Sequence, residues 1–369
     1  MSNIALQSQA VLVESDPMPK YSVEIKGYSW EGAENGFVDY EKMLDSYITT
    51  GFQAQHLGQA MVEVNRMLEC RKQPMDQEKL AEMDISPDHR CYPRTNCTIF
   101  MGYTSNLISS GLRETLCFLV KHNLVDCVVA TAGGVEEDII KCLAPTYSAS
   151  FALDGVTLRS KGHNRIGNMI VPNENYCKFQ DWLEPIMDEM LEKQKNEGVW
   201  WTPSKMIKLM GERIDDESSV LYWCAKNNIP IFSPAITDGS LGDNLYFNSY
   251  NHPELRMDII DDIRYINDIS AFSLNTGMLI LGGGLIKHHI CNANLMRDGA
   301  DFSVYINTSG EYDGSDAGAK PDEAKSWGKI RQTARPVKVT AEVTLVLPLL
   351  VARTFVPYLA EMTRLKELE

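Results

Sequence analysis

No stretch of this 369-residue chain reads CxxC. Its nine cysteines are an odd, scattered set: Cys70, Cys91, Cys97, Cys117, Cys127, Cys142, Cys177, Cys224 and Cys291. That pattern argues against a disulfide framework and a zinc site, and for reduced thiols in the cytosol. GxGxxG is missing too, so no single dinucleotide fingerprint is present. The longest apolar runs, such as Thr344–Val351, fall well short of the ~20 residues a membrane helix needs. The N-terminal MSNIALQSQAVLVESDPMPK has no basic segment ahead of an apolar one, and so does not read as a secretory leader. Basic residues are outnumbered 35 to 50, for a formal net charge of -15. An acidic chain repels nucleic acid and attracts cations, although solubility alone would explain the excess. Neither nucleic acid nor a membrane is expected as a partner.

What is present has a rhythm. Residues 1–25 carry two prolines and no clear period, and read as an arm with room for one short helix. Asp39–Leu68 repeats apolar residues at helical spacing, interrupted at Gly51 and Gly58, which predicts two or three helices. Gln73–Arg94 is polar with three prolines and reads as a connecting loop. From Cys97 onward, short apolar runs end in small or polar residues and lead into helical patterns. Cys97–Met101 precedes Leu107–His122, Asp126–Ala130 precedes Glu136–Cys142, and Ile229–Ser233 precedes Thr237-Asp238-Gly239-Ser240. Gly277–Leu281 precedes Ile286–Met296, Ser303–Ile306 precedes Asn307-Thr308-Ser309, and Val337–Thr340 precedes a closing helix around Val343–Leu359. Repeated strand–turn–helix units predict an α/β fold with a doubly wound, mostly parallel sheet, helices on both faces and an N-terminal helical extension. Ligands of such sheets bind along the edge formed by the strands' carboxyl ends.

Three groups of residues could carry chemistry. The turns Ser105-Asn106, Thr131-Ala132-Gly133-Gly134 and Gly282-Gly283-Gly284 would let a phosphorylated cofactor approach the backbone, although any tight turn wants glycine. The carboxylates Glu136, Glu137, Asp238, Asp243, Asp313, Asp316 and Glu323 would make a strongly anionic pocket if gathered together. Singly, each has a bland reading as a helix-start charge or a turn. Such a cluster is costly without a counter-charge, so it suits a polycation. Lastly, Trp327 offers an indole face to an alkylammonium chain, Lys329 a nucleophile when neutral, and His288 a general base. On its own, Lys329 would pass for a surface lysine. No ligand spacing for a metal surrounds the histidines.

Long strings of this sequence resemble the eukaryotic deoxyhypusine synthase family. They include NCTIFMGYTSNLISSGLRET, ATAGGVEEDIIKCLAPTY, NRIGNMIVPNENYCKF, IPIFSPAITDGSLGD, TGMLILGGGLIKHHICNANLMRDGADFSVYIN and EYDGSDAGAKPDEAKSWGKIR. The resemblance runs from about Gly27 to the C-terminal helix. It implies an NAD-dependent transfer of the 4-aminobutyl group of spermidine to one lysine of the precursor of eukaryotic translation initiation factor 5A. Spermidine is oxidised to an imine, Lys329 captures the butyl fragment as 1,3-diaminopropane leaves, the fragment passes to the acceptor lysine, and the hydride returns. Lys329 and His288 are thereby the implied catalytic residues. The implied polyamine contacts are Glu136, Glu137, Asp243, His288, Gly314, Ser315, Asp316, Glu323, Ala324, Lys325, Ser326, Trp327 and Lys329. The implied NAD contacts are Ser105, Asn106, Leu107, Ile108, Ser109, Thr131, Ala132, Gly133, Glu137, Asp238, Gly283, Thr308, Ser309, Glu342 and Val343; no metal is implied. Residues 1–25 become an arm able to cover the site, 26–94 a helical extension and connecting loop, and 95–369 an NAD-binding α/β catalytic domain. A cytoplasmic homotetramer, a dimer of dimers with sites shared between two chains, is also implied.

The sequence departs from the family at Glu342-Val343, where Asp-Ala is usual, at Ser309, where Ala is usual, and at Leu274-Asn275. Two alternatives share the same motifs: a homospermidine synthase with putrescine as acceptor, and a non-catalytic subunit that activates a paralogue.

Overall fold

The computed structural model describes residues 3–368. Six strands make one parallel sheet, numbered here among themselves: β1 (Thr98–Tyr103), β2 (Cys127–Ala130), β3 (Ile231–Phe232), β4 (Thr276–Leu281), β5 (Phe302–Asn307) and β6 (Val337–Thr340). Each lies within two residues of the apolar run that predicts it. Across the sheet the order is β3-β2-β1-β4-β5-β6, with every pairing parallel. The strand order therefore reverses between β1 and β4, and the crevice outside their carboxyl ends is the expected ligand position.

Strand periodicity divides the core into two layers. Ile99, Met101 and Tyr103 of β1 enter one buried cluster, which holds the Phe52–Lys72, Ala132–Leu143 and Pro203–Ile214 helices. Phe100 enters the other, with Ile286 and Ile290 of the Leu285–Leu295 helix. Gly102 also faces that second layer. A Cβ there would lie 2.8 Å from Ile290 Cδ1, so glycine lets this helix lie close on the middle of the sheet. The helix thus has a fixed height over the switch point, which matters for the residues on its outer face.

The N-terminal expectations hold with one change. Asn3–Val11 is a short helix, followed by a stretch whose Leu12, Met18 and Tyr21 are exposed. Helices Tyr40–Asp45, Tyr47–Thr50 and Phe52–Lys72 follow. Gly51, at φ +93°, is the break expected of it. Gly58 is not a break. It lies inside the long helix, where a Cβ would sit 2.6 Å from the Ile48 backbone nitrogen, so its role is a close crossing.

Other boundaries move for local reasons. The connecting loop contains a helical turn, Gln77–Glu82, capped by Asp76. The pattern at Leu107–His122 splits into Ser105–Ser109 and Arg113–Lys121, because the Ser110 hydroxyl accepts from Leu112 N at 3.2 Å and ends the first helix. The helix after β2 starts at Ala132, so Gly133 and Gly134 occupy its first turn rather than a loop; a Cβ on Gly134 would meet the Tyr103 ring at 2.9 Å. The closing segment, Val343–Leu368, is apolar and long enough by composition to cross a membrane. In the fold it breaks at Thr354 and buries Leu347, Leu350 and Phe355 in the core.

Between β2 and β3 lies structure that the strand–turn–helix reading did not resolve. It comprises a small antiparallel sheet of Tyr147–Ser148, His163–Ile166 and Met169–Pro172, and helices Asn173–Glu197, Pro203–Ile214 and Val220–Lys226. The long helix carries Pro185 in its interior, a residue that ordinarily reads as a stop.

The crossing at Gly58 is testable. Gly58→Ala should cost ~1–3 kcal/mol of unfolding free energy in denaturant titration, since the close neighbour is backbone and cannot rotate away. Gly111→Ala, with open space around it, should stay within ~0.5 kcal/mol of the parent. Equal effects at the two positions would refute the close-crossing account.

Candidate active site

Each strand of the parallel sheet delivers part of the predicted cofactor set at its carboxyl end. Ser105–Ser109 follow β1, Thr131–Gly133 follow β2, Asp238 follows β3, Gly283 follows β4, Thr308 and Ser309 follow β5, and Glu342 and Val343 follow β6. The first two turns are tied together, since Thr131 Oγ1 accepts from Ser105 N at 3.0 Å and Gly133 leaves room for the Ser105 side chain. Leu107, Ile108 and Ser109 are buried, so their helix can offer little beyond backbone and Ser105-Asn106. Glu342 is exposed and takes a hydrogen bond from the Thr344 hydroxyl, while Val343 is buried.

Three consecutive acids on the Ala132–Leu143 helix are buried, and each has a different environment. Asp138 accepts from Arg113 Nε at 2.7 Å, Ser219 Oγ at 2.6 Å, and the Leu221 and Val220 nitrogens at 3.0 and 3.1 Å. It caps the Val220–Lys226 helix and has no capacity left. Glu136 accepts from Leu241 N at 2.6 Å and presses on Gly239, where a Cβ would lie 2.7 Å from its carboxylate. It thereby holds the start of the Ser240–Asn251 helix, whose first turn carries the exposed Asp243. Burial, reinforced by the charges of Glu137 and Asp243, pushes its carboxyl up to about 7. Glu137 accepts from the Tyr176 hydroxyl at 2.8 Å, and burial raises its pKa as well. Its other oxygen, Oε2, is buried with no partner. That orphan atom can take a hydroxyl or an ammonium.

Lys329 lies on the far side of the switch point. The Pro321–Ser326 helix ends in a left-handed Gly328 (φ +71°), with Lys329 N bonded to Ala324 O at 2.9 Å and Gly328 N to Lys325 O at 3.0 Å. This glycine-dependent end motif fixes where the lysine emerges. Its carbonyl then accepts from Ala300 N at 3.1 Å, pinning it to the chain entering β5. The Lys329 amine stands 5.7 Å from the centroid of the Trp327 indole and has no hydrogen-bond or ion-pair partner among the described residues. Both face a cleft of about 440 Å³ shared with Asp316, Glu323 and Ala324 and with Lys287, His288, Cys291, Asn292 and Leu295 of the helix that lies on Gly102. The helical repeat explains the second set: Ile286, Ile290 and Ala293 enter the core, His288 and Leu295 are exposed, and Lys287 and Cys291 line the cleft from buried positions. His288 is exposed, and its Nδ1 is 3.2 Å from Asn292 Nδ2.

The loop over this cleft is held by two lysines that the sequence reading did not single out for that task. Buried Lys287 donates to the carbonyls of Asp316 and Ala319. Lys338 of β6 donates to those of Ser309, Ala317 and Gly318 at 2.9, 3.1 and 2.7 Å. Ala317 in turn packs on Gly283, where a Cβ would be 2.2 Å from its own. Gly314 and Ser315 belong to the same loop, with Ser315 Oγ on the Asp313 carboxylate at 2.6 Å. Lys325 turns away from the cleft, donating to Gln332 O and Ala334 O at 3.0 and 2.8 Å. Ser326 closes its helix by donating to Glu323 O.

A single chain therefore gathers Lys329, Trp327, His288, Asp316, Glu323 and Ala324. It does not bring Glu136, Glu137 or Asp243 to the Lys329 cleft. Tyr176, Lys287 and Lys338 are the additions made by the structure, and no spacing in the sequence points to them. Nor are three His, Cys, Asp or Glu side chains placed to share a metal ion among the described residues.

The family model for deoxyhypusine synthase matches residues 42–354. A deoxyhypusine synthase of Caenorhabditis elegans is 56% identical over 357 residues, 96% of this chain and 95% of the relative. Homospermidine synthase 2 of Senecio vernalis is 52% identical over 349 residues, 94% of this chain and 92% of the relative. A solved structure from Entamoeba histolytica, assigned to deoxyhypusine synthase, superposes with a TM-score of 0.64 at 36% identity, covering 90% of this chain and 97% of that one.

The raised carboxyl of Glu136 has a measurable sign. A group whose folded pKa exceeds its unfolded value favours folding most at low pH and loses that contribution as pH rises through the folded value. Thermal melts should therefore show the parent losing ~2 kcal/mol relative to Glu136→Gln between about pH 5 and pH 8. A flat or inverted difference would rule out a buried, half-compensated acid at this position.

Proposed function

Because the chain belongs to the deoxyhypusine synthase family, a family of transferases, we propose that it transfers the 4-aminobutyl group of spermidine to one lysine of the precursor of eukaryotic translation initiation factor 5A. The observation that carries this reading is the unpartnered Lys329 amine beside the Trp327 indole, in a cleft with two carboxylates and a histidine. A lysine can attack an imine carbon only when neutral, and a polyamine bound alongside favours the neutral form by like-charge repulsion. Asp316 and Glu323 bind ammonium groups, Trp327 lies along the methylene chain, and His288, exposed to the cleft, moves the proton at the oxidised amine. Lys329 then carries the butyl fragment as an imine while 1,3-diaminopropane departs, and an incoming lysine displaces it. One difficult substitution becomes two easier exchanges.

NAD supplies, when bound, the hydride acceptor at the first step and the donor at the last. The residues present fit it. The start of the Ala132–Leu143 helix has no side-chain cap and leaves its first N–H groups for a phosphate, and the orphaned Glu137 Oε2 can accept a ribose hydroxyl. Gly283 and the turn at Thr308 and Ser309 close on the same crevice. Glu342 keeps the acid usual at its turn, one methylene longer. The polyamine acids Glu136, Glu137 and Asp243 complete a Lys329 cleft across a subunit boundary, in a homotetramer built as a dimer of dimers. For Glu136 the contact is indirect, through the helix that bears Asp243. Nine unpaired thiols suit the reducing cytosol. We place the arm at 1–25, the helical extension at 26–94 and the catalytic domain at 95–369.

A second reading is favoured by the likeness to a homospermidine synthase at 52% identity, in which putrescine replaces the protein lysine. Incubation with NAD, labelled spermidine and either acceptor separates the two: label in the protein acceptor is expected, and label in homospermidine alone would reject the first reading. Lys329→Ala should abolish borohydride-trapped adduct and lower transfer by ~10³-fold or more. His288→Ala should slow spermidine oxidation while leaving NAD affinity within about twofold. A trapped butyl group on another residue would remove Lys329 from the role, and failure of the pure protein to turn over until a second chain is added would favour a non-catalytic partner subunit.

A further inference from the structure

One segment carries charge opposite to that of the chain as a whole. Residues 147–172 contain the bases Arg159, Lys161 and Arg165 against a single acid, Asp154, in a protein of net charge -15. The segment folds as the small antiparallel sheet with the Gly155–Ser160 helix, a flap separate from the parallel sheet. Asp154 is committed to its own helix, accepting from Thr157 N at 2.7 Å. The three bases are exposed and none makes an ion pair among the described residues; the nearest pairs in sequence are Arg113–Asp138 and Lys178–Glu174. Arg165 reaches only the carbonyl of Gly167, at 2.9 Å. Beside these charges Phe151 and Val156 stand 70% and 80% exposed, so the flap offers apolar anchors within a basic field.

Its position gives the charge a purpose. Asn175 Nδ2 donates to Pro145 O at 2.9 Å, stitching the flap's exit to its entrance. One residue later, Tyr176 donates to Glu137. The flap is thus rooted within one helical turn of the buried acids. In so acidic a chain, counter-charges for surface bases are easy to find, and three bases left without one present a complement to something outside. An anionic pocket built for an amine repels any acidic macromolecule that must deliver a lysine to it. A basic flap beside that pocket offsets the repulsion and sets orientation.

We propose that the 147–172 flap docks an acidic face of the acceptor protein, with Arg159, Lys161 and Arg165 as its contact charges. This rests on the transferase reading above, and the two can be tested apart. The full-length protein and the triple variant Arg159→Glu, Lys161→Glu, Arg165→Glu are compared with NAD in two assays: release of 1,3-diaminopropane from spermidine with no acceptor, and transfer to the protein acceptor. The half-reaction is expected to stay within about twofold, while KM for the acceptor rises ~10-fold or more at low salt. That gap should shrink in ~0.5 M salt as exposed charges are screened. Direct binding of purified acceptor, measured by calorimetry, should weaken by the same factor whether or not the protein turns over. Absence of the half-reaction in the parent protein would sink the transferase reading alone, leaving calorimetry to decide the flap. Unchanged acceptor binding, or a joint fall of both assays, overturns the docking role. So does loss of the tetramer in the variant, which would make the flap a subunit contact. Flap-dependent binding of a single-stranded RNA 20-mer, with acceptor binding intact, would assign the bases to a different polyanion.

Discussion

Burying three consecutive carboxylates on one helix turn is the constraint around which this molecule is arranged. Each buried charge needs donors or a cation, because leaving one uncompensated costs several kcal/mol. Asp138 is fully met by Arg113 and three further donors, so it can only be structural. Glu136 has a backbone nitrogen and little else, and its pKa rises to about 7. Glu137 has one oxygen on Tyr176 and one with no partner. Compensation thus differs between adjacent positions, and Glu137 is the acid left with a buried oxygen free to take a ligand. A string reading Glu-Glu-Asp says nothing of this order. It arises because three different elements approach one helix: the turns before Val220 and Ser240, and the side chain of Tyr176.

Lysines show the same separation of roles. Lys287 and Lys338 each spend their donors on carbonyls of the 309–320 loop. A compact ammonium on a long stem suits this work, since its three donors reach several carbonyls at once. The loop so held packs Ala317 on Gly283 and keeps Asp316 at the cleft. Lys329 is the contrasting case: its backbone is held by the glycine end of a helix and by Ala300, while its amine is left without a partner. Rigid backbone with a free amine is what a covalent relay requires.

These particulars mark how far the sequence could be read. All six parallel strands were legible, because fully buried strands give continuous apolar runs and their turns give small residues. The edge at which the strand-end turns gather followed from that pattern. Gly58 misled, since a glycine inside a helix can be there for a neighbour's backbone as easily as for a bend. Pro185 hid a 25-residue helix. The small sheet escaped because its strands are two to four residues long and half exposed. Residue types pointed to candidate site groups, but not to their layout. Glu136 and Glu137 stand on one side of the switch point and Lys329 on the other, a distance that spacing along the chain does not encode.

That separation bears on how the site can work. In the proposed reaction, an imine on Lys329 would be lost to water unless water is excluded. In one chain the cleft is open, with Trp327 at 65% exposure and His288 at the surface. Acids able to hold the far end of a long polyamine lie across the crevice instead. On the proposed reading, a second surface would complete and cover the cleft and bring negative charge to match a cation of two or three charges. The Ser240–Asn251 helix has those properties: Asp243 is exposed in its first turn, with Tyr246, Phe247 and Tyr250 exposed beyond it. Apolar side chains around an acid can exclude water while leaving the charge unshielded, which strengthens its hold on an ammonium. A pairing of two chains through this helix would supply cover and counter-charge together, whereas a lone subunit would hold a reactive lysine that water could reach.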